Sequence, residues 1–226
     1  MKLGKFAQAM AEIDALDDGD IGSIQLKEKR WQEAVESSDY LDGKLLADAW
    51  CAAFAWPKDS LTEFPLTEDI LREIERNPNT LAGHRPEMYR EVIRIAGKYR
   101  FFHWHLAFPD VFRVPASLER PDNEETGWSR GFDAVLGNPP WEKFTVGEEE
   151  WFAALDAEIS DTKGKARRGK QIEALAESNP VLYQAWLEAK RDADLFGAFC
   201  SRDAGRYPLT GTGELNTYHL FAELAE

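Results

Sequence analysis

The chain has 226 residues, 43% of them hydrophobic, with eight Trp and thirteen Phe. That excludes a disordered chain and leaves room for one or two domains with a real core. A formal net charge of −14 sits badly with a partner made of phosphates, which wants a basic surface, unless another part of the protein grips it.

No long apolar run and no signal-peptide pattern is present, so the reading is a cytoplasmic chain without a membrane partner. Cys51 and Cys200 are too few and too far apart for a disulfide framework or a zinc site. Phe6, Ala9, Met10, Ile13 and Leu16 recur at helical spacing and end in the turn-like Asp17-Asp18-Gly19-Asp20. Ile24 to Val35 begins a second helical segment. No strand precedes Gly19 and Gly22, so a helix–helix turn explains them better than a phosphate loop. From Lys44, LLADAWCAAFAW is apolar nearly all round until Pro57, which predicts a buried helix whose Trp50, Phe54 and Trp56 read better as core residues than as a stacking platform. Thr67 reads as an N-cap, with Glu68 and Asp69 in the first turn and Ile70, Leu71 and Ile74 facing inward. Pro86 opens a further helix that carries Tyr89, Val92, Ile93 and Ala96 inward.

Residues 99–114 are aromatic and predict a strand followed by a loop. On a strand His103 and His105 share one face, but no third ligand stands near, so they read as structural and not as a metal site. Residues 115–130 are polar and Pro-rich, a linker or exposed loop. The run Phe132-Asp133-Ala134-Val135-Leu136 predicts a short buried strand, broken by Gly137 and followed at once by Asn138-Pro139-Pro140-Trp141. The prolines cannot continue a sheet ladder. In open parallel sheets ligands bind beyond the carboxyl ends of strands, so Asn138 stands at a candidate active site.

These four residues suit the methylation of an exocyclic amine on a planar ring. The Asn138 side-chain oxygen and the Pro139 carbonyl are two acceptors for the two amine hydrogens, held stiffly by Pro139 and Pro140. Aimed where positive charge develops on nitrogen, they act as preorganised dipoles. Trp141 offers a flat face, worth roughly 1–3 kcal/mol when a base stacks on it. Beyond the motif, Glu148 to Ile159 predicts an amphipathic helix with Trp151, Phe152, Leu155 and Ile159 on one face. The segment KGKARRGK, Lys163, Lys165, Arg167, Arg168 and Lys170, is the one basic cluster, open to two readings: a phosphate-binding segment that orders on contact, or a solvated loop between helices. Val181 to Phe196 predicts a helix with Trp186, and Thr212 to Tyr218 leads into another with Leu220, Phe221 and Leu224.

FFHWHLAFPDVF, GFDAVLGNPPWEKF and GTGELNTYHLFAELAE together resemble the adenine-specific DNA methylases of restriction-modification systems. These are S-adenosylmethionine-dependent amino-methyltransferases with an Asn-Pro-Pro-aromatic motif after a strand. The resemblance covers residues 45–226 and is specific in those three blocks. It implies an α/β fold, a partial Rossmann-like methyltransferase sheet with a large helical contribution. The domains it implies are a helical region at 1–97, a strand–loop–strand core at 98–145, a helical insertion at 146–205 and the next helix of the core at 206–226. Asn138, Pro139, Pro140 and Trp141 would be catalytic, double-stranded DNA with a flipped adenine the substrate, and phage defence the setting. The aromatic block would lie near the adenine side of the cofactor site. In such methylases a glycine-rich S-adenosylmethionine loop comes earlier and more strands come later, so the chain is expected to be a fragment, inactive alone, whose partners are the missing terminal parts. Two alternatives stay open. One is a methyltransferase acting on RNA or on a protein glutamine amide; the other is a non-enzymatic helical interaction module.

Overall fold

The computed structural model describes residues 4–57, 64–113, 119–124 and 128–224. The chain divides into two compact units, Met1–Ala134 and Val135–Glu226.

In the first unit, α1 (Gly4–Asp14), α2 (Ile21–Val35), α3 (Ser38–Ala55), α4 (Glu68–Arg76), α5 (Asn79–His84), α6 (Pro86–Tyr99) and the one-turn α7 (Trp104–Ala107) follow in order. Local chemistry starts several of them. The Asp20 carboxylate and the Ser37 hydroxyl accept backbone N–H groups of Ser23 and Tyr40, and Pro86 sits at the first helical position of α6. Thr67 occupies the N-cap of α4 but makes no side-chain cap bond. Helix α3 packs against α1, α2, α4, α6 and α7. Ala49 and Ala52 of α3 and Val92 and Ile95 of α6 are buried, and the two helices pack against each other. Ile93, expected inside, is exposed, and Met88 and Ile95 are buried in its stead. Of the three aromatics of α3 and its end, Trp56 is buried and donates through Nε1 to the Phe64 carbonyl at 3.1 Å. Phe54 is exposed, and the Arg72 guanidinium lies over the Trp50 ring at 5.4 Å.

The second unit holds α8 (Glu148–Phe152), α9 (Ala157–Asp161), α10 (Lys165–Ser178), α11 (Pro180–Cys200), a 3-10 turn at Arg202–Ala204, and α12 (Thr217–Leu224). The single helix expected from Glu148 to Ile159 is broken, because the Asp156 carboxylate accepts the Ile159 N–H and restarts it as α9, leaving Leu155 exposed. Phe152, Ile159, Ile172, Leu175 and Trp186 form one core cluster, and Cys200, Tyr207 and Leu220 a second.

The α/β expectation is overturned. The protein is 64% helical with 3% in strand or bridge, and the described residues contain no sheet. Their β pairing amounts to three isolated antiparallel bridges: Arg113 with Ser129, Asn123 with Trp128, and Lys143 with Asn216. The physical reason is that a strand is not a property of its own residues; its ladder bonds need a neighbour. Phe132 to Leu136 has none among the described residues. Phe132 turns into an aromatic cluster with Trp104, Phe108 and Phe112, at ring distances of 5.9, 5.2 and 5.1 Å, while Val135 and Leu136 are 75% and 97% exposed. The aromatic block expected as a strand contains α7 instead. Of the expected linker, residues 115–118 and 125–127 lie outside the described residues.

Asp48, 1% exposed on α3, is a buried charge of the first unit. His103 Nε2 lies 2.7 Å from one of its oxygens and Lys44 Nζ lies 2.5 Å from the other. Burial pushes its carboxyl up, and the bonds from His103 and Lys44 more than offset this, leaving it below the usual carboxylate value. His105 points elsewhere, edge-on to Trp128 at 5.4 Å, and its Nε2 is buried with no hydrogen-bond partner. Burial, and then the charge of His103, lower its pKa from 6.5 to about 4. Below pH 6.5 the unfolded chain therefore takes up a proton that the folded unit refuses until about pH 4. Stability contributed by this site falls as pH drops through that window and is restored above it; the Asp48 contribution is lost at still lower pH. His105→Phe is expected to flatten the melting temperature between pH 4 and 6.5, measured by circular dichroism at fixed ionic strength. An unchanged acid limb would place the sensitivity elsewhere.

Candidate functional site

Asn138 to Trp141 belong to no helix, strand or turn, and Asn138, Pro140 and Trp141 are exposed. Asn138 makes no hydrogen bond among the described residues, so both groups of its amide are open to a ligand. The prolines give the backbone stiffness but no N–H by which a neighbour could hold it. Fixation comes from the start of α12. The Thr217 hydroxyl donates to the Pro140 carbonyl at 2.7 Å and accepts the Glu142 N–H at 2.9 Å, while the Thr217 N–H donates to the Glu142 carbonyl at 2.9 Å. The next residue, Tyr218, stacks on Trp141 with ring centroids 5.0 Å apart and planes 23° from parallel. Trp141 is still 72% exposed, so the indole keeps surface for a further ring. The Lys143–Glu214 ion pair at 3.0 Å closes the contact at its edge.

The loop that delivers Thr217 is itself tightly set. A Cβ on Gly211 would lie 2.5–2.6 Å from backbone atoms of Tyr207, Arg202 and Cys200, so this position requires glycine. The Glu223 carboxylate accepts the N–H groups of Leu209 and Thr210 at 2.9 and 2.8 Å, and the Thr210 hydroxyl as well. Burial pushes the Glu223 carboxyl up, but these bonds more than compensate and hold it below its ordinary value. Asn216 Oδ1 accepts the Tyr218 N–H at 3.1 Å and starts α12. In the sequence Thr212 to Tyr218 is a lead-in to a helix, and nothing in it marks Thr217 or Tyr218. Their partners lie more than seventy residues earlier, and no local pattern announces that.

The basic cluster is divided. Residues 165–170 are the first turns of α10 and not a loop. Arg168 is buried and faces the unit's own acids: it pairs with Glu148 at 3.5 Å, with Glu149, and donates to the Thr162 carbonyl at 2.9 Å. Its guanidinium is committed inside the fold. Lys163, Lys165, Arg167 and Lys170 are exposed and remain the candidates for phosphate. Among the described residues no cluster of three or more His, Cys, Asp or Glu could hold a metal. A cavity of about 540 Å³ opens between α1 and α2 over Phe6, Ile13 and Ala34, and no residue of the 138–141 segment lines it. The described residues contain no sheet, so they do not form the strand-end crevice in which open α/β sheets bind ligands. No helix of the described residues is long and apolar enough to cross a membrane.

Arg168→Met should destabilise the second unit by about 1–3 kcal/mol, since it leaves Glu148, Glu149 and the Thr162 carbonyl short of a donor. Arg167→Ala, on the exposed side of the same turn, should stay within about 0.5 kcal/mol of the parent. Urea titration followed by Trp emission checks the pair; equal effects would remove the distinction drawn between the two arginines.

A scan against protein-family models, a search of curated proteins and a search of solved structures each returned no match.

Proposed function

We propose that Asn138 to Trp141 receive the exocyclic amine of an adenine withdrawn from DNA, and that the chain serves an adenine-specific DNA amino-methyltransferase. One observation carries the reading: an exposed, unengaged Asn138 amide stands three residues before an indole ring that Tyr218 braces from one side. An amide oxygen within three residues of a stacking face offers a planar ring with an NH₂ group both an acceptor and a surface. The ring gains dispersion contact with Trp141, and the amine donates to Asn138. The Pro139 carbonyl is the second acceptor in this reading, while the Pro140 carbonyl already accepts from Thr217. Lys163, Lys165, Arg167 and Lys170 would meet backbone phosphates, within a cytoplasmic restriction-modification setting. S-adenosylmethionine is the methyl donor the reaction requires, and none of the described residues is assigned to it.

A second reading, a helical interaction module with an incidental Pro-Pro segment, is favoured by the helical fold that stands where a methyltransferase sheet was expected. The two part in one experiment. Short deoxyoligonucleotides carrying a single adenine, or a single purine without the amine, opposite an abasic site are titrated against the chain by fluorescence anisotropy. The amine-cradle reading expects adenine to bind more tightly than amine-free purine by roughly 2–10-fold, the worth of one hydrogen bond. Asn138→Ala should erase that preference and Trp141→Ala should weaken both ligands, with Trp141→Phe retaining most of the affinity. Equal binding of the two oligonucleotides by the parent chain would leave the interaction module standing. Ribose oligonucleotides and a glutamine peptide in the same assay test the RNA and protein-amide alternatives.

A further inference from the structure

The Thr217 hydroxyl bonds residues 140 and 142, one on each side of Trp141, and the neighbouring Tyr218 ring lies against the indole. We infer that Thr217 and Tyr218 are the positioning residues of the amine-binding segment: Thr217 sets the backbone that aims Asn138 and Trp141, and Tyr218 sets the plane of the indole. This rests on the amine-cradle reading of the site.

Three features support it. First, the contact is made by a side chain that is buried and engaged as both donor and acceptor, so the hydroxyl has one rotamer that satisfies everything around it. Second, Pro139 and Pro140 lack N–H groups, so bonds at the Pro140 carbonyl and at Glu142 are among the few that could fix this stretch at all. Third, Thr217 is held from behind. Asn216 caps α12, Leu220 anchors the helix in a core cluster with Cys200 and Tyr207, and Gly211 admits the close approach of the preceding loop. A stiff support of this kind is what a preorganised acceptor needs, because a dipole that can swing away gains little on binding. Tyr218 also makes the indole one-sided: with one face taken by tyrosine, a ligand ring stacks on the other.

The test uses the whole chain with Thr217→Val, which keeps shape and removes the hydroxyl, and Thr217→Ser, which restores it. Two measurements are made on each: exchange of the Glu142 amide by NMR, and the preference for adenine over amine-free purine in the oligonucleotide assay. The valine variant should speed Glu142 exchange on the order of tenfold and abolish the adenine preference, and serine should recover both. Unchanged exchange overturns the inference outright. Faster exchange with the adenine preference intact makes Thr217 a structural bond only, which also overturns it. If the parent chain shows no adenine preference, the reading of the site fails before any variant is made, and the inference falls with it. Should Thr217→Val unfold, Tyr218→Leu against Tyr218→Phe carries the test. Leucine should weaken both oligonucleotides several-fold and phenylalanine should not, on the order of the stacking gain at one face; equal behaviour of the two variants overturns the role given to Tyr218.

Discussion

In the second unit one hydroxyl group bridges two segments distant in sequence. A stretch with two consecutive prolines is stiff at each φ but has almost nothing with which to hold itself in place. Thr217 supplies what it lacks, accepting the Glu142 N–H and donating to the Pro140 carbonyl, and the backbone of Thr217 adds a third bond. Beside this contact the indole of Trp141 lies against Tyr218, and Asn138 stands in solvent with both amide groups open. The loop from Tyr207 to Asn216, with its obligatory Gly211 and its carboxylate latch at Glu223, serves to bring Thr217 there.

The first unit is organised by a different constraint, a carboxylate taken out of water. Asp48 sits on α3, the helix that most of the unit packs around, and a buried charge is tolerable only when it is paired and hydrogen-bonded. Lys44, one turn earlier, provides one partner, and His103, just before α7, provides the other. The His103 bond ties the chain after α6 back onto α3. It also separates two histidines that sequence spacing put together: His103 faces Asp48 while His105 packs against Trp128. The reading of both as structural is compatible with this arrangement, although the strand that was to carry them is a turn of helix.

Against the resemblance to amino-methyltransferases stands the helical character of the whole chain. The segment that should have been a strand before Asn138 exposes Val135 and Leu136 and pairs with nothing among the described residues. The amine-binding geometry proposed here therefore takes its support from α12 and not from a strand end. The basic cluster is altered in a similar way. Five cations within eight residues of the sequence become four exposed ones and a buried arginine, because α10 turns Arg167 and Arg168 to different faces.

Most of the helices were legible in the sequence, because what starts and stops a helix is local. Pro86 at a first position, Pro57 after the apolar run and the acids behind Thr67 announce their helices without help from the rest of the chain. Hydrophobic spacing likewise marks α1 with its buried Phe6 and Ile13, and the apolar residues of α11 and α12 include the buried Trp186 and Leu220. The candidate motif itself, Asn138 to Trp141, was readable from composition and order alone. Its support was not. Whether Phe132 to Leu136 is a strand depends on a neighbour to share its hydrogen bonds, and whether Arg168 meets phosphate or Glu148 depends on which acids α8 presents to α10. The pairing of Thr217 with Pro140 and Glu142 spans more than seventy residues. Helix periods, caps and breakers act within a few residues and can be read from them; ladder bonds, buried ion pairs and ring stacks are made between segments, so only the folded chain decides them.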